Sequence, residues 1–367
     1  MTTFNPARLT LARKRRGLTM SKLAELIDVD PRSVSAYEKG EFGPDEERLH
    51  VLARKLRFPE RFFFQSDFDE PTPDGASFRA LSKMTAGQRD TALGAGAIAL
   101  MLNDWIESRF DLPVARLPDL SREGGPEAAA EALRYAWGLG QLSVKNMVHL
   151  LESKGVRVFS LAIDALEVDA FSMWRKNTPF VFLNTKKSSE HSRFDAAHEL
   201  GHLVLHRHGS PQGQEAEREA NAFASAFLMP RGTILAKAPR LPTIDHLVRL
   251  KKQWNVSVAA LTYRLHSVGA LSDWHYRSLY IEISSRGYRK REPDESPRET
   301  SQLLAKVFDA MRDESVSKGD IAEDLCVTAD EIDELVFGLA LTVINGGGGS
   351  GAAQRKAPSL HVVRSRG

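Results

Sequence analysis

Cysteine is almost absent: Cys326 is the only one in 367 residues. A single thiol cannot build an internal disulfide framework and suits a reducing compartment, so a cytoplasmic protein is expected. Long apolar runs are missing too. The longest, Ala92 to Leu102, contains Gly94 and Gly96 and is too short to span a bilayer. No signal peptide opens the chain, because Met1-Thr-Thr-Phe-Asn-Pro is polar and Arg8 to Arg16 is charged. No membrane partner is expected. An excess of one charge is also lacking: 50 basic against 48 acidic side chains leave +2, so any nucleic-acid surface must be local. The rest, 42% hydrophobic and 27% charged, is the balance of a soluble globular protein with room for two or three domains.

The stretch Arg193 to His208, RFDAAHELGHLVLHRH, holds an H-E-x-x-H pattern at His198-Glu199-Leu200-Gly201-His202. Apolar residues recur on more than one face, which favours a buried helix. At about 100° per residue, His198 and His202 project from nearly the same side and can share one zinc ion. Glu199 lies about 100° round from His198, beside such an ion, where it can accept a proton from water. The bland alternative is a core helix whose histidines bond to backbone carbonyls. Against it, a carboxylate on an apolar helix is costly to bury unless something pairs with it.

A catalytic zinc needs a third protein ligand and an open fourth position. Gln214 to Leu228 reads as a second helix with the stripe Ala220, Phe223, Ala224, Phe227 and Leu228, ended by Pro230. Glu217 belongs to the stripe side near the helix start and is the better ligand candidate. Glu215 and Glu219 are expected on a solvated face. His206, His208 and His191 are candidates for steadying an oxyanion by proximity, whereas Tyr263, Arg264 and His266 are better explained by helical packing.

HELGHLVLH followed by E-R-E-A-N-A-F-A-S-A-F-L-M-P resembles the ImmA/IrrE family of metallo-endopeptidases over roughly residues 150 to 270. The resemblance implies a gluzincin-like zinc hydrolase with ligands His198, His202 and, from the first Glu of E-x-x-A-N, Glu217. It makes Glu199 the general base. Family members cut repressors in mobile-element control and DNA-damage responses, so a repressor-type protein is the implied substrate.

The first sixty residues read as four helices: Pro6–Arg16, Ser21–Ile27, Pro31–Lys39 and Glu46–Leu56. Asp30 is expected as an N-cap and Pro31 at the first helical position. LAELIDVDPRSVSAYEKG resembles the helix-turn-helix of the XRE (lambda-repressor-like) family, whose third helix enters the major groove. The analogy implies that Arg32, Ser33, Ser35 and Ala36 face base edges and that Arg13, Lys14 and Lys39 meet phosphates of an operator. One departure is Met20, where the family often has a phosphate-binding Gln. A single weak helix-turn-helix usually needs a two-fold partner, which makes a homodimer one expectation.

Elsewhere, the acidic, Pro-rich stretch Asp67 to Gly75 reads as linker, and Phe58-Pro-Glu-Arg-Phe-Phe-Phe docks on the helical unit. A long helix runs from about Thr85 to Phe110 with a core stripe of Ala95, Ile98, Leu102 and Ile106. Helices at Glu127–Trp137 and Val144–Ser153 precede strands at Val156–Leu161, Val168–Trp174 and Pro179–Asn184, a small sheet whose edge can hold an extended peptide. Ile321 to Gly338 aligns without gaps on Leu23 to Gly40. There, however, Arg32, Ser33, Ser35 and Ala36 become Asp330, Glu331, Asp333 and Glu334. Phosphates would repel such a helix, which turns it to protein contact or DNA mimicry. Gly346-Gly-Gly-Gly-Ser-Gly opens a tail whose basic end spans Arg355 to Arg366.

The expected fold is therefore mainly α with a small β-sheet (α+β). A DNA-binding unit spans 1–65, a linker 66–84, a zincin-like metallopeptidase domain 85–275, a helical interaction region 276–345 and a flexible tail 346–367. The function expected is a DNA-binding zinc endopeptidase that regulates transcription by cleaving a repressor. The alternative is a regulator whose metal domain senses without hydrolysing.

Overall fold

The computed structural model describes residues 3–71, 76–78, 84–161, 170–207 and 213–340. Four helices open the chain: α1 (Pro6–Arg15), α2 (Met20–Leu26), α3 (Pro31–Lys39) and α4 (Glu46–Leu56). Asn5, Thr19, Asp30 and Asp45 cap them by accepting from first-turn backbone N–H groups, which otherwise lack partners. Gly40 closes α3 at φ 73°, a left-handed turn that a Cβ would strain. A 3-10 turn, Glu60–Phe64, folds Phe62 and Phe63 into a core with Leu9, Leu23, Val34 and Leu52.

This helical unit is not a tethered module. The long helix α5 (Ala86–Glu107) lies against α1 at Gly94, where an added Cβ would stand 3.0 Å from Arg15 Cα. The backbones can meet only because Gly94 has no side chain. One continuous hydrophobic core then runs from Leu9 to Leu339. Within the segment expected as linker, 66–84, residues Ala76–Phe78 form the strand β1. Sequence alone gave no sign of this strand.

After α6 (Pro126–Ala136) and α7 (Met147–Ser153) come β2 (Arg157–Ser160), β3 (Ala170–Arg175) and β4 (Thr178–Leu183). The sheet order is β1-β3-β4-β2, with β2 parallel to β4 and the other pairs antiparallel. Phe171 and Phe182, cross-strand partners, stack with ring centroids 4.3 Å apart. On the sheet rests α8 (Ser189–Leu205), crossed by α9 (Gln214–Leu228). The helices α10 (Arg231–Lys237), α11 (Ile244–Lys251), α12 (Val258–Ser267) and α13 (Asp273–Ser285) follow. No helix among the described residues is long and apolar enough to cross a membrane.

The last helices among the described residues are α14 (Gln302–Asp313), α15 (Lys318–Asp324) and α16 (Ala329–Val336). The acidic echo of the helix-turn-helix meets the first helix of the chain. Glu331 pairs with Arg15 at 2.9 Å and Arg16 at 2.5 Å, and Glu334 also pairs with Arg15. Asp324 accepts from Trp105 Nε1 on α5 at 2.9 Å. Two of the four carboxylates at the expected base-reading positions, Glu331 and Glu334, are thus used for protein contact inside the chain. The tail, residues 346–367, lies outside the described residues.

Candidate metal centre

Helix α8 starts at Ser188, whose Oγ caps the His191 amide, and is buried almost throughout between the sheet, α7 and α9. His198 and His202 stand one turn apart with their Nε2 atoms 3.0 Å from each other. Glu217, in the first turn of α9, brings Oε2 to 3.4 Å from His198 Nε2 and Oε1 to 3.3 Å from His202 Nε2. These three donors form a cluster able to hold a metal ion. Nitrogen or oxygen atoms bound tetrahedrally at 2.0–2.1 Å stand roughly 3.4 Å apart, close to all three separations. Glu217 Oε1 and Glu199 Oε1 are buried and accept no hydrogen bond among the described residues. Both the donor set and these two oxygens fit a cation.

The electrostatics point the same way. Burial pulls His202 down to about 4 against the pull of Glu217, which keeps the imidazole neutral, as a metal ligand must be. Burial pushes Glu217 up, but the two imidazoles outweigh it and hold the carboxyl well below its usual range. Burial drives Glu199 up to about 8, with hydrogen bonds from Ser77 and Ser172 opposing. Its Oε2 accepts from Ser77 Oγ at 2.6 Å and Ser172 Oγ at 2.7 Å. A nearby cation would favour the ionised form of both carboxylates.

The helix crossing depends on Gly201. A Cβ there would stand 3.0 Å from Phe223 Cδ1 and 3.3 Å from Ala220 Cα, so α9 sits as close as a glycine permits. Gly201→Ala is expected to push α9 outward, cost about 1–3 kcal/mol by overpacking, and lower metal affinity at least tenfold by displacing Glu217. Chelator-competition titration measures this, and unchanged affinity would show that the spacing does not depend on Gly201.

Residues 151–266 match the model of the IrrE N-terminal-like domain, a peptidase family, and residues 9–63 match a helix-turn-helix model. The chain carries an IrrE-type domain behind a helix-turn-helix unit. No curated protein matches it. The IrrE-type domain contains the three donors and Glu199, whereas Ser77 is supplied from outside it. Ser77 carries no sequence signal, because a three-residue strand just after an acidic, Pro-rich stretch has too few residues to show alternation.

Around the IrrE-type centre, His206 backs the site. Its Nδ1 is 3.1 Å from His202 Nδ1, and its Nε2 is 2.8 Å from Glu219 Oε2. Glu219, expected on a solvated face, thus braces the ring that braces His202, one of the three candidate donors. The i, i+4 spacing from His202 was the available clue. His206 meets the far side of His202, away from the donor cluster, so it is not placed to steady an oxyanion. His191 is engaged with Ser188 Oγ at 2.7 Å, and His208 lies outside the described residues. Arg264 is spent on Met229 O and Glu127, and His266 on Asp273. Tyr263 lines a cavity of about 830 Å³ between α8, α9, α12 and α13.

In the helix-turn-helix unit, Arg32 and Lys39 are exposed on α3, and Ser33 and Ser35 are half-buried. Two expectations change. Ala36 faces the core at 7% exposure and is turned away from a base edge. Arg13 is buried, bonded to both oxygens of Glu38 at 2.6 and 2.9 Å and to Leu18 O at 2.7 Å, so its guanidinium ties α1 to α3 instead of meeting a phosphate. Lys14 pairs with Glu70 at 3.3 Å.

Proposed function

We propose that the chain is a zinc-dependent endopeptidase that regulates transcription by cutting a repressor-type protein near an operator it reads itself. The observation that carries this reading is the triangle of His198, His202 and Glu217 beside a buried, hydroxyl-held Glu199. A zinc ion bound there would polarise a peptide carbonyl and acidify water. The protein's own part is proton handling. Ser172 fixes Glu199 Oε2, joined by Ser77 while residues 76–78 are in place, which leaves Oε1 to take the proton of the attacking water and return it to the leaving amine nitrogen. Burial of His198, Glu199 and His202 limits the access of bulk water and strengthens these interactions.

The test in cells compares two variants on the regulated promoter. Loss of regulation in both Glu199→Gln and His198→Ala supports hydrolysis. Regulation that survives Glu199→Gln but fails in His198→Ala makes the domain a non-hydrolytic sensor.

Operator reading is assigned to Arg32, Ser33, Ser35 and Lys39, with a homodimer as the arrangement that a palindromic site requires. Arg32→Ala is expected to weaken binding of the cognate duplex about 10- to 100-fold, the value of one bidentate base contact of about 1–3 kcal/mol. Fluorescence anisotropy on specific and scrambled duplexes checks it. An equal loss on both would make Arg32 a phosphate contact only.

A further inference from the structure

Sheet edges attract extended chain, because their N–H and C=O groups are unpaired. The strand β3 packs against α8 and pairs with β4 on one side. Its other side is already taken. β1 pairs there antiparallel, with Ser77 opposite Ser172, and both hydroxyls end on Glu199 Oε2. The Ser77 hydroxyl also lies 3.0 Å from the Ser172 amide nitrogen, which donates to it. Asp69 pairs with Arg175 at the end of β3 at 2.6 Å, Pro71 packs with Phe171 over Gly96, and Glu70 reaches Lys14 on α1. None of this segment belongs to residues 151–266, the IrrE-type domain.

We propose that residues 76–78 are an intramolecular occupant of the groove that a substrate peptide must use, so that cleavage requires their exchange for substrate. The inference rests on the peptidase reading above for the identity of the groove. A peptide strand and β1 cannot pair with the same edge of β3, and Ser77 stands within hydrogen-bond reach of the proposed base. Among the described residues the occupant pairs with Phe171, Ser172 and Met173, three of the six residues of β3, and a peptide long enough to pair along all six makes ladder pairs beyond these. Lys14–Glu70 joins the described segment that ends at Pro71 to α1 of the helix-turn-helix unit.

The test uses the full chain carrying Glu199→Gln, so that nothing depends on turnover. The probe is a fluorescein-labelled synthetic peptide with the sequence of residues 74–80. Replacing residues 76–78 with three glycines removes the strand former and the hydroxyl. Affinity for the peptide, read by anisotropy, should rise at least tenfold. Hydrogen exchange at residues 171–173 should quicken and be slowed again by the peptide. Unchanged or weaker peptide binding would overturn the proposal and make β1 a working wall of the site. Should the glycine variant fail to fold, Ser77→Ala must show the same direction of change, and a fall in affinity there has the same overturning force. Because binding and exchange are read without hydrolysis, a catalytically inert protein would refute the peptidase reading and still leave this result interpretable.

Discussion

Glu199→Gln is expected to lower peptide hydrolysis by about 10³-fold, within the range that general acid–base groups contribute, while zinc is still bound at one ion per chain. Glutamine has the same shape, and its amide oxygen can keep accepting from Ser77 and Ser172, so the carboxylate's position is retained without its basicity. The donors His198, His202 and Glu217 are untouched. Stability should not fall either. The native side chain is fully buried, and burial pushes its carboxyl up to about 8, so its charge is a cost to the metal-free fold. A quenched fluorogenic peptide library measures turnover, and metal analysis measures zinc. Wild-type turnover in the variant would remove Glu199 from the chemistry altogether.

Glu217→Ala should reduce zinc affinity by more than about 100-fold, because even a residue that only supports a ligand is worth 10- to 100-fold. It also removes the anion of the donor set and leaves two imidazoles 3.0 Å apart with no carboxylate to balance a cation. The fold should survive, since Glu217 lies in the first turn of α9 with its side chain 21% exposed, and the apolar face of that helix is intact. In the wild type, zinc should raise the melting temperature by mass action, and in the variant that rise should vanish at the same zinc concentration. A melting temperature that still climbs with zinc in Glu217→Ala would place the third ligand elsewhere.

Much of this centre could be read along the chain. The spacing of His198 and His202 puts both rings on one face of a helix. The apolar stripe from Ala220 to Leu228 puts Glu217, and not Glu219, toward that face. Both inferences use only the helical period, a property of neighbouring residues. Caps were legible for the same reason: Asp30 before Pro31 and Gly40 after Lys39 mark α3 by local backbone chemistry. Other assignments depended on distant partners. Arg13 looked like one more cation in a basic run, yet Glu38 across the unit consumes it. The acidic residues of α16 showed what they would not bind, and only the fold brought them to Arg15 and Arg16.

The sequence by itself determined the donor types, their helical spacing, the order of the helix-turn-helix and IrrE-type units and the bounds of α3 and α4, because each follows from motif, periodicity and capping within a few residues. The tertiary structure alone decided that Gly94 and Gly201 are contact points, that Ser77 reaches Glu199, and that Leu9 and Leu339 share one core. Such features depend on which surfaces meet after folding. Close approach between distant backbones leaves no periodic trace in either segment.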